Sequence, residues 1–247
     1  MDNNLTLFFV MAAGVGLLIG LSKGGLGGLM GSLATPLMAL VMPPSQVVGL
    51  LLPMLMFADV FAVASYWKRW RGRLVLLLLP GGVAGVTIGT LFITNAPTET
   101  LRNVLAWIVL IFTLYKVFEP RLLKYLSYRP RTWHGLLAGT IAGFASTLAH
   151  AGGPPAAIYL LMQGVDPVEF IATNALFFAI LNWIKVPYYA YAGLFNAERL
   201  LQVLWLMPII PVGVLIGRWA AGRINKLWFE RIIITALFVT AVMLLLE

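Results

Sequence analysis

Two lysines fall inside apolar stretches long enough to carry them toward the middle of a lipid bilayer. Lys23 follows the apolar run 7–21 and opens the stretch SKGGLGGLMG, and Lys185 lies within LFFAILNWIKVPYYAYAG. An ammonium group in hydrocarbon costs several kcal/mol, so ionisable residues at that depth usually belong to a substrate or ion path. The two lysines therefore predict a polytopic carrier whose substrate is an anion.

The first lysine belongs to a glycine-rich break, Ser22-Lys23-Gly24-Gly25. Glycines let the backbone leave a helix and present free N–H groups, and such groups bind anions. Lys23 adds a full positive charge to them, so we predict that these four residues bind substrate. The alternative is that the glycines only permit close helix packing, with Lys23 reaching toward a membrane interface.

A second break lies at residues 146–155, with the sequence STLAHAGGPP. Its two prolines suit the first turn of a new helix, and the glycine pair before them allows a sharp turn. His150 has two readings: it donates to an anion or relays a coupled proton, or it is a structural histidine hydrogen-bonded in the core. The residues predicted to bind substrate here are Thr147, His150, Gly152 and Gly153.

A polar stripe follows one helical face of the apolar segment 168–192. Its members, at positions i, i+8, i+11 and i+15, are Asn174, Asn182, Lys185 and Tyr189. Such a stripe in a membrane span faces protein or water rather than lipid. We interpret Asn174, Asn182 and Lys185 as a ligand-binding face; the alternative is a ladder of hydrogen bonds between helices.

Asp59 is the acidic residue that lies deep inside an apolar run. Two roles are open to it. It forms an ion pair with Lys23 or Lys185, or it carries a coupled proton during transport. When the two halves of the sequence are compared with an offset of 123 residues, Asp59 matches Asn182.

The composition is that of an integral membrane protein. The chain has 247 residues, of which 61% are hydrophobic and 11% charged, whereas soluble domains carry about 25% charged residues. With no cysteine and two histidines, a conventional zinc site is not expected. The sequence has no P-loop or HExxH motif, so we predict a protein that is not an enzyme and needs neither cofactor nor metal.

The net charge of +8 is gathered in three clusters at the ends of apolar runs. This distribution is typical of cytoplasmic loops in a multi-pass protein and does not indicate a nucleic-acid partner. The clusters consist of Lys68, Arg69, Arg71 and Arg73, then Arg121, Lys124, Arg129 and Arg131, and finally Arg218, Arg223, Lys226 and Arg231.

Placing all three clusters in the cytoplasm gives the two halves of the chain opposite orientations, with both termini in the periplasm. The predicted fold is therefore an all-α polytopic membrane protein with about eight to ten membrane segments, broken or re-entrant helices included. Residues 1–125 form the first membrane repeat and residues 126–247 the second. Together they make one integral membrane domain in the bacterial inner membrane.

Sparse sequence matches between the halves support this inversion. With an offset of 123, Gly16 matches Gly139 and Gly20 matches Gly143. With an offset of 128, the GVTIG at residues 85–89 matches the GVLIG at residues 213–217. Inverted repeats with interrupted helices in corresponding positions are typical of secondary transporters, whose site lies at the midplane between the repeats.

At these motifs the chain resembles the sulfite exporter TauE/SafE family. The resemblance rests on GLSKGGLGGLMGSLATPLMAL, on STLAHAGGPPAAIYLLMQG and on ATNALFFAILNWIKVPYYAYAGL, in that order. It covers essentially the whole chain. It implies transport of sulfite, sulfonates and other small sulfur or carbon oxoanions, generally outward.

We therefore expect a secondary transporter that exports small oxoanions such as sulfite, organosulfonates or small carboxylates by alternating access. A coupled proton or other ion and a homodimer are further partners that the sequence leaves open. One alternative is an anion channel. Another is an intramembrane enzyme that uses His150 and Asp59, with Ser146 or Thr147 as the nucleophile.

The topology is testable with reporters fused after Glu247. Because the basic clusters are expected in the cytoplasm, a periplasm-dependent reporter at this position should be active and a cytoplasm-dependent reporter silent. The reverse result would contradict the opposite orientation of the halves. Fusions after Arg131 serve as the control and should give the opposite pattern.

Overall fold

The computed structural model describes residues 3–26, 28–125, 131–220, 223 and 226–246, and within these ranges it contains helices and no strand. Arg129 and the start of the predicted second repeat therefore lie outside the described residues. The helices of the first half are α1 (Asn3–Leu21), α2 (Gly28–Ser32), α3 (Ala34–Ala39), α4 (Pro44–Ser65), α5 (Gly72–Asn95) and α6 (Thr98–Tyr125). Those of the second half are α7 (Thr132–Ala149), α8 (Gly153–Met162), α9 (Pro167–Tyr191), α10 (Ala197–Leu204), α11 (Ile209–Ala220) and α12 (Lys226–Leu246).

Five helices among the described residues are long and apolar enough to cross a membrane, which confirms the all-α polytopic membrane fold. A sixth span results if α10 and α11, which meet at 54°, are counted together. The five are Thr6–Gly24, Pro44–Ser65, Gly72–Asn95, Thr98–Glu119 and Pro167–Tyr191. Helix α8 has only 10 residues, about half of the length that a crossing needs.

The helices of the two halves follow one another in the same order. A long helix (α1 or α7) is followed by short helical pieces (α2 and α3, or α8) and then by a long helix (α4 or α9) that begins with a proline. The offset of 123 relates the first residue of α4, Pro44, to the first residue of α9, Pro167. The offset of 128 likewise relates the start of α6, at Thr98, to the start of α12, at Lys226.

Two glycine-lined helix contacts join the halves. Helix α5 packs on α7, and α11 packs on α1. A Cβ atom on Gly143 would overlap the carbonyl oxygen of Gly82, and one on Gly20 would overlap that of Ile210. The offsets of 123 and 128 relate these two contacts, because Gly20 corresponds to Gly143 and Gly82 to Ile210. In both, missing side chains let two backbones approach closely.

One apolar cluster lies where several helices begin or end. It joins the start of α4 and α6 to the ends of α5, α7 and α9. The charge-derived topology assigns the starts of α4 and α6 and the ends of α5 and α9 to the periplasmic side. We call this cluster the apolar seal; its buried members are Val48, Leu52, Ile93, Leu101, Leu148, Tyr189 and Leu194.

The glycine contact between α1 and α11 predicts a position-specific cost of adding one methyl group. Gly20→Ala should destabilise the protein by about 1–3 kcal/mol, because the methyl group meets backbone that cannot rotate away. Gly14→Ala is the matched control on the same helix, since its Cβ would meet no atom within 4 Å. Thermal unfolding of the detergent-solubilised variants measures the difference, and equal midpoints for the two would contradict this packing.

Candidate functional site

A continuous polar network lies among the long helices and links both halves of the chain. The Lys23 ammonium contacts Asp59 Oδ1 at 2.5 Å, and Asn182 Nδ2 donates to Asp59 Oδ2 at 2.7 Å. Lys185 Nζ donates to Asn182 Oδ1 at 3.2 Å and to Ser146 Oγ at 2.7 Å. We call these five residues, Lys23, Asp59, Ser146, Asn182 and Lys185, the central network.

Asp59 joins the halves within this network. Its side chain is 4% exposed, and each carboxylate oxygen accepts a hydrogen bond, one from Lys23 of its own half and one from Asn182 of the other. The sequence left open whether Asp59 pairs with Lys23 or with Lys185. In the structure the direct ion pair is with Lys23, and Lys185 is reached through the Asn182 amide.

Lys185 is fully buried, and hydrogen bonds to neighbouring acceptors stabilise its ammonium group. It donates to Ser146 O at 2.8 Å, Ser146 Oγ at 2.7 Å and Asn182 Oδ1 at 3.2 Å. These three acceptors match the three protons of an ammonium group. The sequence pattern predicted a cation free to meet a ligand, whereas in the structure each proton of Lys185 has a partner.

A π-helical turn positions Lys23. The sequence predicted a break at Ser22-Lys23-Gly24-Gly25, and in the structure residues Ser22–Leu26 widen the end of α1 into a π turn rather than ending it in a free helix terminus. Single π turns within helices occur frequently at functional sites. A Cβ on Gly24 would overlap the Val214 carbonyl oxygen of α11, so this turn also continues the glycine contact.

The second break positions Ser146 and His150. Helix α7 ends at Ala149, and His150 adopts the left-handed conformation with φ of 50°. Helix α8 then begins at Gly153, with Pro154 and Pro155 in its first turn, as the sequence predicted. A Cβ on Gly152 would overlap the Ala142 carbonyl oxygen, so glycine is needed there.

His150 has one bonded and one unbonded ring nitrogen. Its Nε2 lies 3.2 Å from the Val48 carbonyl oxygen. Because a carbonyl only accepts, Nε2 must carry hydrogen. Its Nδ1 is buried and has no hydrogen-bond partner among the described residues. In the neutral ring Nδ1 is therefore an acceptor, and in the charged ring it is a donor.

Thr147 and Tyr189 tie the second break to α9. Tyr189 donates to the Thr147 carbonyl oxygen at 2.8 Å, and the Thr147 hydroxyl donates to the Gly143 carbonyl oxygen at 2.8 Å. Tyr189 is fully buried and belongs to the apolar seal. The hydroxyl hydrogen of Thr147 is thus bonded within α7. The hydroxyl hydrogen of Tyr189 is bonded to the second break, so Tyr189 holds α9 against the break rather than offering a free donor.

Not every residue of the predicted stripe enters the central network. Asn174 lies two helical turns before Asn182, about 12 Å along the helix, and its buried Oδ1 has no hydrogen-bond partner among the described residues. Its neighbour Thr173 accepts from the Arg71 backbone at 2.9 Å. A salt bridge to Glu169 at 2.7 Å raises the pKa of the Arg71 guanidinium through a hydrogen bond and through charge.

Ser146 is the network member that belongs neither to the predicted binding residues nor to the predicted coupling residues. The signal for it was the internal repeat, because the offset of 123 that relates Asp59 to Asn182 also relates Lys23 to Ser146. The first half thus carries its lysine on the break, and the second carries it on the long helix, where Ala62 is the equivalent of Lys185.

With both lysines protonated and Asp59 ionised, the central network carries one net positive charge. Two ammonium groups face one carboxylate, and an anion with a single negative charge would neutralise them. Among the described residues no group of three His, Asp or Glu side chains could hold a metal ion. The arrangement can therefore bind and release an anion through ammonium, amide and hydroxyl donors.

Comparison with known protein families gives one match across nearly the whole chain. The family described as Sulfite exporter TauE/SafE matches residues 12–244. Comparisons with curated proteins and with solved structures find no match. The matched range includes every residue of the central network and both predicted breaks.

The ion pair between Lys23 and Asp59 predicts a coupled effect on stability. Lys23→Met should destabilise the protein by about 3–5 kcal/mol, because it leaves a buried carboxylate without its cation. Adding Asp59→Asn should recover most of this loss. A double-mutant cycle of unfolding free energies measures the coupling, and purely additive effects would contradict the pair.

Proposed function

The chain belongs to the sulfite exporter TauE/SafE family, a family of membrane anion transporters, and on that premise we propose that it exports small oxoanions by alternating access. Sulfite, organosulfonates and small carboxylates are the proposed substrates. They share a compact shape, negative charge and two or more acceptor oxygens. The proposed location is the bacterial inner membrane, with both termini in the periplasm.

The observation that carries this proposal is the central network and its net positive charge. Lys23 and Lys185 lie among apolar helices, where hydrogen bonds to charged groups are strong and the field of a charge is poorly screened. One carboxylate balances one of the two ammonium groups. An oxoanion that enters the network supplies the missing negative charge, so the electrostatics favour anions over neutral or cationic solutes.

The position of the network supports a site near the bilayer centre. Asp59 on α4 and Asn182 on α9 each lie about four helical turns, or about 22 Å, after the start of their helix. In the proposed topology these two helices begin on opposite sides of the membrane. Because Asp59 and Asn182 contact each other, a depth midway between the two surfaces is the simplest arrangement.

Four observations support the proposed inverted repeats, residues 1–125 and 126–247. The helices occur in the same order in both halves, and α4 and α9 begin at equivalent prolines. The same offsets relate the α1–α11 contact to the α5–α7 contact, because α1 corresponds to α7 and α5 to α11. Asp59 hydrogen-bonds to Asn182, its own equivalent in the second half. Residues related by a two-fold axis can touch each other only close to that axis, so we infer an axis through this pair.

Unequal exposure of the network supports alternating access. The Lys23 side chain is 22% exposed, whereas Lys185 is fully buried. The apolar seal covers the side on which α4 begins and α9 ends. We infer that this conformation is closed toward the periplasm and that the halves rock about the network to open it. A site that is reached from the cytoplasm is the loading state of an exporter.

Asp59 and His150 are the proposed sites of ion coupling. Asp59 lies inside the network, and the unbonded Nδ1 of His150 lies in the break that follows Ser146. Either group offers a place for a proton to accompany the anion. The other residues proposed for substrate binding are Ser22, Gly24, Gly25, Thr147, Gly152, Gly153 and Asn174.

Transport in proteoliposomes tests this function directly. The purified protein should move sulfite, an organosulfonate or acetate with saturable kinetics, and a channel would instead give unitary currents. Lys185→Met should weaken binding of the transported anion by more than about tenfold, because it removes one of the two ammonium charges that attract the anion in a poorly screened surrounding. Lys185→Arg should also be impaired, since a planar fork does not replace a compact ammonium.

Lys116→Met is the matched control for these variants. Lys116 also lies on a spanning helix, but it pairs with Glu119 at 2.6 Å outside the central network. The Lys116→Met variant should bind the anion with wild-type affinity. Wild-type affinity in folded Lys185→Met would remove Lys185 from the site, and no flux of any tested oxoanion by the wild type would refute the proposed function.

A further inference from the structure

We propose that Asp59 is an internal counter-anion, which holds Lys23 while the carrier is empty and which the substrate displaces from it. This inference rests on the proposed function and adds a mechanism for the return of the empty carrier. A carboxylate carries the same charge as a small oxoanion and presents oxygens with similar spacing. Its place in the network is therefore a guide to the donors that a substrate would meet.

The contacts of Asp59 are those of a bound anion. Its Oδ1 accepts a hydrogen bond from the Lys23 ammonium at 2.5 Å, and its Oδ2 accepts one from the Asn182 amide at 2.7 Å. Both oxygens are buried with the side chain. An ammonium and an amide N–H are also the donors that a transport site for oxoanions requires. Asp59 thus occupies, within the chain itself, one of the positions that such a ligand would take.

Lys23 is the cation that can exchange partners. Lys185 is fully buried and all three of its protons are bonded. Lys23 bonds to Asp59 alone among the described residues, and its side chain is 22% exposed. An incoming anion can therefore approach the other protons of Lys23 before the bond to Asp59 breaks. The displaced carboxylate keeps its hydrogen bond to Asn182.

The electrostatics explain why a carrier would keep such a competitor. Without Asp59, the empty site would hold two buried ammonium groups and no negative charge, which is strongly unfavourable in a nonpolar surrounding. Moving the empty site across the membrane barrier would then be slow. With Asp59, the empty site carries one net positive charge and the loaded site none, so both can change conformation.

This mechanism predicts an unusual pair of effects for Asp59→Asn. The variant should bind sulfite about tenfold more tightly, because the internal competitor for Lys23 is gone. Net export should fall by about tenfold or more, since the empty carrier returns slowly with two uncompensated cations. Exchange of labelled for unlabelled sulfite should persist, because the loaded carrier does not depend on Asp59.

The experiment compares equilibrium binding, net efflux and exchange in proteoliposomes, with sulfite as the probe. Asp166→Asn is the matched control, because Asp166 caps the start of α9 through bonds to Val168 N and Glu169 N, and asparagine caps equally well. It should leave all three measurements unchanged. Asp59→Glu keeps the charge and should keep sulfite affinity within about threefold of the wild type.

A second measurement uses the wild-type protein and does not depend on how the variant folds. The chain has three aspartates, at positions 2, 59 and 166. With ¹³C-labelled aspartate, infrared difference spectra should show one carboxylate band shifting when sulfite binds, as Asp59 leaves the ammonium. An unchanged spectrum on a protein that binds sulfite would overturn this inference.

The outcomes separate this mechanism from the function on which it rests. Weaker or unchanged sulfite binding by Asp59→Asn, with normal binding by the wild type, overturns the counter-anion and leaves the transporter in place. Equal loss of exchange and net efflux has the same consequence, because it would make Asp59 part of the translocation step itself. Absence of oxoanion binding by the wild type refutes the transporter instead.

Discussion

A buried carboxylate, bonded to an ammonium from one half of the chain and to an amide from the other, is the constraint around which the rest of this structure is arranged. Lys23 and Asn182 both bind the Asp59 carboxylate within the apolar bundle, and a buried carboxylate without such partners would be strongly destabilising. Those two partners come from different halves of the chain. The π turn, the second break and the long helices α4 and α9 must therefore meet at one depth, and the glycine contacts that bring their helices together follow from that need.

The elements that the sequence predicted well are those with local causes. Glycine and proline pairs marked the break at residues 150–155 because their backbone preferences act over a few residues. Helical periodicity brought Asn182 and Lys185 to one face because that spacing is a property of a single helix. The apolar runs likewise predicted most long helices, since a membrane span must satisfy its own backbone.

Contacts between distant segments were the part that could not be predicted. The sequence left two partners for Asp59, because nothing in its local surroundings distinguishes Lys23 from Lys185. It also missed that Ser146 saturates Lys185, which depends on how α7 and α9 pack. The form of the first break was missed as well, because glycines permit a π turn as readily as a free helix end. Asn174 lies on the predicted face but too far along the helix to join the others.

Helix α1 of the first half packs on α11 of the second half, and this packing also bears on how the protein is synthesised. The glycine seam of α1 is covered by α11, whose Ile210 meets Gly20 although most of the chain is synthesised between them. At about 5–20 residues per second, α1 waits roughly 10–40 s for its partner. During that time its seam faces lipid or an insertion factor, and the first half cannot complete its fold. Premature termination anywhere before α11 therefore leaves an unpaired helix for quality-control proteases to recognise.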